Sequence, residues 1–260
     1  MPPNSRRPLA LVTGVGRRRS IASSIALGLA RDGWDLVLNF WNPYDDRLDL
    51  DRGDDDPRAV AEACRDAGAE VTLAPGDLGD PELPAQLIAT RPPGGRVDGL
   101  VLSHCESVDS SILTTDVDSW DRHFAINARA SWLLIKAFAE QLPEAGGPNG
   151  SVNGRIVALT SDHTAGNLPY GASKGALDRI VIAAAIELAD RGVRSNVVNP
   201  GPVDTGWMDE DLRTAMIQAT PAGRLGTAED TANLVRFLFS DAGSWINGQL
   251  LHSNGGLQTS

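Results

Sequence analysis

The chain has few cysteines, no long apolar run and a shortage of basic residues, and each shortage excludes a class of protein. Two cysteines in 260 residues provide no disulfide framework, so we expect a cytoplasmic protein. No apolar run approaches the length of a membrane span, and the first residues show no signal-peptide pattern. A net charge of −11 disfavours binding to a nucleic-acid backbone. The composition therefore predicts small-molecule partners, with neither nucleic acid nor membrane among them.

Tyrosine and lysine are also scarce, with two of each, yet one tyrosine and one lysine stand four residues apart at Tyr170 and Lys174. On a helix this spacing places both side chains on the same face. An ammonium beside a phenol lowers the phenol pKa from its ordinary value of about 10. The pair therefore predicts a tyrosine that acts as a general acid and base.

A buried strand is predicted just upstream, over 154–161, and it ends in the hydroxyls of Thr160 and Ser161. Open α/β sheets bind their ligands at this end of their strands. A hydroxyl, a phenol and an ammonium at one strand end predict a site for a carbonyl or an alcohol.

The N-terminal region predicts a phosphate-binding turn. A short strand over 9–13 is followed by Gly14 and Gly16, three arginines, and a helix that begins near Ile21. Backbone N–H groups at such a helix start bind a pyrophosphate, and Ser20 is placed as the N-cap.

The second predicted strand, 35–40, decides the expected nucleotide. In dinucleotide folds an acidic residue at its end holds the ribose 2′-hydroxyl, but Trp41 follows the strand here. The missing acid and the nearby Arg18 favour NADP(H), with NAD(H) as the alternative. Seven aspartates between positions 45 and 56 oppose this prediction if they fold back. We expect them to form a solvated loop, and we expect no metal site.

Two further strands and a helix are predicted in the middle of the chain. The third strand, 70–78, ends at Asp77, which is either an adenine ligand or an ordinary turn aspartate. The fourth, 97–105, ends in Ser103, His104 and Cys105, which we expect to pack beside the cofactor rather than act as a nucleophilic pair.

A long helix is predicted over 120–136 with Asn127 in its middle, where a buried Asn needs protein partners or a water. A strand over 193–199 leads into a proline-rich loop from Pro200, in which Thr205 is placed to bond a nicotinamide amide. An acidic segment at about 204–222 follows, and its apolar residues predict a substrate lid (Trp207, Met208, Leu212 and Met216).

The alternation of strands and helices predicts one domain over 1–260. Its fold class is α/β, a Rossmann-type doubly wound, mostly parallel sheet with helices on both faces.

With these motifs placed, the chain resembles the short-chain dehydrogenase/reductase family over its full length. The residues that carry the resemblance to β-ketoacyl-ACP reductases lie in the second half (Asn127, Ser161, Tyr170, Lys174 and the Asn-Pro-Gly at 199–201). The glycine turn, with Arg18 and Ser20 where this family usually has glycine, is instead similar to enoyl-ACP reductases, as is Ser103.

The resemblance implies a role for each site residue. Tyr170 would protonate the carbonyl oxygen, Lys174 would lower its pKa and hold the nicotinamide ribose, and Ser161 would bind the carbonyl. Asn127 would position a relay water. The residues implied to contact the cofactor are Gly14, Gly16, Arg18, Ser20, Ile21, Trp41, Asp77, Leu78, Ser103, Tyr170, Lys174, Pro200, Gly201, Val203 and Thr205. Homo-oligomers, tetramers or dimers, are usual in the resembled family.

One departure from the family pattern concerns Ser161, which lies nine residues before Tyr170, a shorter interval than the family's. Thr160 or His163 is an alternative for its task, and the shortened loop predicts a pocket of different shape.

Two other functions remain as alternatives. Enoyl reduction is suggested by the glycine turn, but that branch places its tyrosine further from the lysine, and the residue seven before Lys174 is Asn167. A non-catalytic dinucleotide-binding redox sensor is the other, although it has no need of an intact Tyr170–Lys174 pair.

Overall fold

Strands and helices alternate along the part of the chain that the computed structural model describes, residues 6–50, 53, 56–143, 152–206 and 208–257. The strands are β1 (Leu9–Thr13), β2 (Asp35–Phe40), β3 (Val71–Pro75), β4 (Gly99–Leu102), β5 (Gly154–Leu159), β6 (Val193–Asn199) and β7 (Leu250–His252). The helices are α1 (Ile21–Arg31), α2 (Asn42–Arg47), α3 (Asp56–Asp66), α4 (Leu83–Ala89), α5 (Val117–His123), α6 (Ser131–Glu140), α7 (Leu168–Glu187), α8 (Glu210–Ala219) and α9 (Ala228–Phe239). A π-helical turn, Phe124–Ala130, joins α5 to α6.

The described strands form one sheet in the order β3-β2-β1-β4-β5-β6-β7, and neighbouring strands are parallel throughout. Their near-continuous burial, as in β1 and β4, is typical of a parallel sheet covered on both faces. The strand order reverses between β1 and β4, where doubly wound sheets bind ligands at the carboxyl ends of the strands. The prediction of a Rossmann-type doubly wound fold is confirmed.

Two hydrophobic clusters lie on the two faces of the sheet. One joins the sheet to α1, α3 and α9 through residues such as Leu29, Cys64 and Phe239. The other joins it to α4, α6 and α7 through residues such as Phe138 and Leu177. Burial of each such large side chain contributes about 1.5–3 kcal/mol to the stability of the fold. Among the described residues, no helix is sufficiently long and apolar to cross a bilayer.

The third strand is shorter than predicted. It ends at Pro75 rather than at position 78, because the chain turns away from the sheet directly after the hydrogen bond that the Gly76 N–H donates to the Phe40 carbonyl at 3.0 Å. The Asp77 carboxylate accepts a hydrogen bond from the Gly79 N–H at 2.8 Å, which closes that turn.

The fourth strand is also shorter, Gly99–Leu102 against a predicted 97–105, because side chains replace the ladder at both ends. The Val97 N–H donates to the Gln141 side chain at 2.9 Å. The Ser103 N–H donates to the Thr13 hydroxyl at 3.1 Å, so the segment that leaves β4 is tied to the end of β1.

Candidate active site

The glycine turn after β1 closes against the segment that leaves β4. Gly14 has φ of 82°, and a Cβ at this position would lie 2.9 Å from the Ser103 carbonyl oxygen, so only glycine fits. Ser20 is the N-cap of α1, and its hydroxyl accepts from the Ser23 N–H at 3.1 Å. This strand, glycine turn and capped helix at the switch point form a cradle that fits a pyrophosphate.

Asp46 and Asp49 are exposed, as a solvated loop requires, but the solvated-loop prediction is wrong for Asp45 and Asp56. Both are buried, with 6% and 8% of their surface exposed. The Arg17 Nε lies 3.2 Å from Asp45, and the Arg18 Nε lies 3.3 Å from Asp56. The acidic segment thus folds back on the arginines of the glycine turn, because each buried carboxylate needs a cation or N–H donors.

The described residues of the acidic segment do not form a cluster of metal-binding side chains. Asp51, Asp54 and Asp55 lie outside the described residues. Within the described ranges, no group of three or more His, Cys, Asp or Glu side chains is arranged to hold a metal ion.

Asp77 follows β3, and both of its carboxylate oxygens are bonded to Arg122, each at 2.9 Å. The side chain therefore has a structural partner in addition to its own turn. Leu78 is 4% exposed and packs in the core, so a contact from this residue to an adenine would come from its backbone.

His104, after β4, is buried, and both of its ring nitrogens have hydrogen-bond partners. Its Nδ1 lies 2.7 Å from the Thr13 hydroxyl, and its Nε2 lies 3.1 Å from the Ile126 carbonyl. Burial and the nearby ammonium of Lys174 lower the pKa of His104 to about 3, so the ring is neutral at physiological pH. Both nitrogens of this neutral ring are hydrogen-bonded to other groups, so His104 does not form a nucleophilic pair with Cys105.

Tyr170 and Lys174 lie on α7 one turn apart, as predicted, beside the end of β5. The Lys174 ammonium is 5.7 Å from the centre of the Tyr170 ring and donates to the Leu159 carbonyl at 2.9 Å. The Ser161 hydroxyl lies beside the Tyr170 phenol and acts to lower its pKa. The structure therefore brings the predicted hydroxyl, phenol and ammonium together.

The two alternatives to Ser161 are placed differently. Thr160 is buried beside Asp178. His163 is exposed, and its ring stands edge-on to Tyr170 at 6.4 Å between ring centres. The short loop before α7 therefore still allows Ser161 to reach the phenol.

The pKa of Tyr170 lies above its ordinary value in the protein chain alone. Burial is the main cause, a thiolate at Cys105 disfavours a second negative charge, and the Ser161 hydroxyl acts in the opposite direction. Burial also lowers the pKa of Lys174, which is 2% exposed. The prediction of a lowered Tyr170 pKa is therefore wrong for the protein chain alone, and the phenol keeps its proton at neutral pH.

We expect neither tyrosine of the native protein to ionise below pH 10, the approximate value of a free phenol. Burial raises the pKa of both Tyr44 and Tyr170. With two tyrosines in the chain, the phenolate absorbance of the native protein should rise only above that pH, whereas in denaturant both should ionise near it. A phenolic proton released near neutral pH by the native protein would contradict this expectation.

Asn127 lies in the π-helical turn, and its side chain is satisfied by protein groups. Its Oδ1 accepts from the Glu106 N–H at 2.8 Å, and its Nδ2 donates to the Glu106 carbonyl at 2.9 Å and to the Ser173 hydroxyl at 2.8 Å. That hydroxyl donates in turn to the Tyr170 carbonyl at 2.8 Å. Of the two predicted possibilities, partners or a water, the side chain uses partners, and it ties the exit of β4 to the helix that carries Tyr170.

The loop after β6 returns to the glycine turn. Gly201 has φ of 64°, and its N–H donates to Asn199 at 3.0 Å, while Pro200 and Val203 are buried. Thr205 is 7% exposed, and its carbonyl accepts from Arg17 at 2.9 Å. The loop after β6 and the glycine turn after β1 are therefore in direct contact.

The predicted lid contains one described helix, α8, on which no residue is buried. Leu212 on this helix is 41% exposed. Asp204, at the start of the lid, lies 3.2 Å from Arg19 of the glycine turn. Trp207, which was also assigned to the lid, lies outside the described residues.

Sequence reasoning missed a second group of side chains at the site. The Tyr44 hydroxyl lies 4.0 Å from the Cys105 sulfur. Glu106 is 1% exposed and pairs with Arg47 and Arg122. The scarcity of tyrosine was the one available signal, since Tyr44 is the only other tyrosine in the chain.

Comparisons with known proteins agree with this fold. Residues 14–258 match the family described as Enoyl-(Acyl carrier protein) reductase. Short-chain dehydrogenase/reductase FrzI of Cladobotryum sp is 32% identical, over 99% of this chain and 98% of FrzI. The 3-oxoacyl-[acyl-carrier-protein] reductase FabG of Staphylococcus epidermidis is 30% identical, over 95% of this chain and 98% of FabG.

A similar solved structure is that of a blue fluorescent protein from a metagenomic library in complex with NADPH. It has a TM-score of 0.83 and 26% identity, and the match covers 97% of this chain and 98% of that protein. The chain therefore belongs to the short-chain dehydrogenase/reductase family and is an oxidoreductase of that family.

Proposed function

We propose that the protein transfers a hydride between NADP(H) and a carbonyl or secondary alcohol of a small molecule, in the manner of a 3-oxoacyl-thioester reductase. The observation that carries the proposal is the placement of Tyr170 between the Ser161 hydroxyl and the Lys174 ammonium. A protonated phenol in this position donates to a carbonyl oxygen that becomes negatively charged.

The side chains divide the work in the reducing direction. When bound in the cradle after β1, NADPH would supply the hydride that the carbonyl carbon accepts. Ser161 donates a hydrogen bond that orients the carbonyl oxygen, and Tyr170 gives its phenolic proton to that oxygen. Lys174, buried at the end of β5, stabilises the phenolate that remains. Asn127 holds α7 in place through Ser173 and the Glu106 backbone, and a relay water at Asn127 is part of the proposal.

NADP(H) is the proposed nucleotide, because no acid ends β2 and because Arg18 stays accessible even though Asp56 folds back on it. The Arg18 side chain is 66% exposed beside Asp56, and Trp41 at the end of β2 is 40% exposed. A guanidinium with free donors binds a 2′-phosphate in bidentate fashion. The NADPH bound to the blue fluorescent protein supports the same choice.

We expect NADPH to bind at least about tenfold more tightly than NADH, and Arg18→Ala to remove most of that difference, since a lost charge-assisted contact of about 1.4 kcal/mol is tenfold in affinity. The measurement is a titration of each nucleotide followed by its fluorescence. Arg31→Ala is the matched control, because Arg31 is exposed at the far end of α1. Preference for NADH would overturn the choice of nucleotide, and binding of neither would overturn the reductase proposal.

Enoyl reduction has the family description in its favour, but the position seven before Lys174 offers no acid. Asn167 is 3% exposed, and its amide donates to Ser107 and Asp109, each at 2.9 Å. We therefore propose carbonyl reduction.

We further propose a homo-oligomer, a tetramer or dimer, in the cytoplasm. Exposed apolar residues on α5 and α6 support a contact surface: Val117 is 73% exposed and Trp132 is 49% exposed. Trp120, between them in the chain, is also 37% exposed, and several exposed apolar residues along joined helices support an interface.

A further inference from the structure

Helix α2 lies against the glycine turn through its one buried carboxylate. A Cβ on Gly16 would lie 2.5 Å from the Asp45 Oδ2, so Asp45 packs directly on the turn. The side chains of Arg17 and Asp45, paired at 3.2 Å, are 13% and 9% exposed. A negative charge therefore stands beside the cradle that fits a pyrophosphate.

The same helix reaches the opposite side of the groove. Arg47, in its last turn, pairs with the buried Glu106, and the Tyr44 hydroxyl lies 4.0 Å from the Cys105 sulfur. Glu106 and Cys105 follow β4, whereas the glycine turn follows β1, and these two strands flank the switch point. α2 thus bridges the crevice in which this fold binds dinucleotides.

The position of α2 across the crevice depends on its side-chain contacts more than on the stability of the helix itself. α2 has six residues, and a helix of this length is not stable without tertiary contacts. Its ionic contacts run to the glycine turn through Asp45 and to Glu106 through Arg47. A phosphate that replaces Asp45 keeps Arg17 paired with an anion, so the exchange leaves no buried cation alone.

We propose that α2 is a latch over the dinucleotide groove, in which the Asp45 carboxylate occupies the position of a cofactor phosphate until the nucleotide displaces it. The latch rests on the proposed function in one respect, that the groove takes a phosphate-bearing dinucleotide. Its consequence is that the nucleotide binds only the open fraction of molecules, which weakens the apparent affinity by that fraction.

The test removes the two ionic contacts of α2 one at a time. Asp45→Asn removes the charge at the glycine turn, and Arg47→Gln removes the pair with Glu106, which keeps Arg122. Each variant is expected to bind NADPH about tenfold more tightly than the wild type, as an open fraction of about one tenth implies. Asp66→Asn is the control for net charge, because Asp66 is exposed at the end of α3 and helices in such a sheet run back toward the amino ends of the strands.

Hydrogen exchange provides a readout without turnover. Amides of residues 42–47 should exchange faster in the wild type with saturating NADPH, and in nucleotide-free Asp45→Asn, than in the nucleotide-free wild type. Weaker NADPH binding by Asp45→Asn would overturn the latch and make Asp45 a nucleotide ligand, and unchanged affinity in both variants would also overturn it. In these two cases the proposed function stands, because the wild type binds NADPH; binding by none of the proteins overturns both proposals.

Discussion

Tyr170→Phe is expected to lower kcat for carbonyl reduction by roughly 10²- to 10⁴-fold, the usual contribution of a positioned general acid. The change removes one oxygen and leaves the ring between Ser161 and Lys174. The measurement is NADPH oxidation with a panel of ketones and 3-oxoacyl thioesters. Because the phenol acts on the substrate oxygen, the affinity for NADPH should change by less than about threefold.

Unchanged turnover in Tyr170→Phe would show that another group supplies the proton. His163 is then the group to test, since its ring stands edge-on to Tyr170. Loss of NADPH binding in the same variant would instead show that the main role of the Tyr170 hydroxyl is to bind the cofactor rather than to act as the acid.

Lys174→Met is expected to lower kcat at least about a hundredfold and also to weaken NADPH binding. The ammonium is the buried cation nearest the phenol, and without it the phenolate formed after proton transfer lacks a counter-charge. Methionine keeps an unbranched stem of similar length, so the cavity left behind is small. The matched control is Lys136→Met, which changes the only other lysine, a side chain that is 56% exposed on α6.

Thermal unfolding separates chemistry from folding in this pair of variants. Burial lowers the pKa of Lys174, which means that the buried charge is unfavourable in the folded state. Lys174→Met should therefore unfold at a temperature no lower than that of the wild type. A large fall in that temperature together with lost activity would attribute the effect to unfolding and contradict the assigned role.

The parts of the site that the sequence predicted depend on local rules. Short apolar runs in the sequence located the strands. A glycine after a strand predicted the turn that Gly14 makes at positive φ, and helical spacing placed Tyr170 and Lys174 one turn apart. Each of these inferences concerns residues that are close together in the chain. They were sufficient for the fold and for the face of α7 that carries the chemistry.

The parts that the sequence did not predict depend on contacts between distant residues. Asp45 and Asp56 were expected in solvent, because nothing near them in the chain shows that Arg17 and Arg18 lie against them. The raised pKa of Tyr170 has the same origin, since the extent of burial is a property of the packed site rather than of the Tyr–Lys spacing.

Polar partners explain two more differences. The sequence allows Asp77 to be either an adenine ligand or a turn aspartate, and only the folded chain shows that Arg122 donates to both of its carboxylate oxygens. Asn127 was expected to need a partner or a water, and the π-helical turn supplies the partners by aligning it with the Glu106 backbone and Ser173. π-helical turns of this kind often mark functional positions.

The measurement that tests the central claim most directly compares the wild type with Tyr170→Phe in one experiment, with NADPH affinity and the rate of ketone-dependent NADPH oxidation determined on the same samples. We expect equal affinities for NADPH and a rate of NADPH oxidation that falls by roughly 10²-fold or more in the variant. Equal affinities with equal rates, or tight NADPH binding by a wild type that reduces no ketone or 3-oxoacyl thioester, would contradict it.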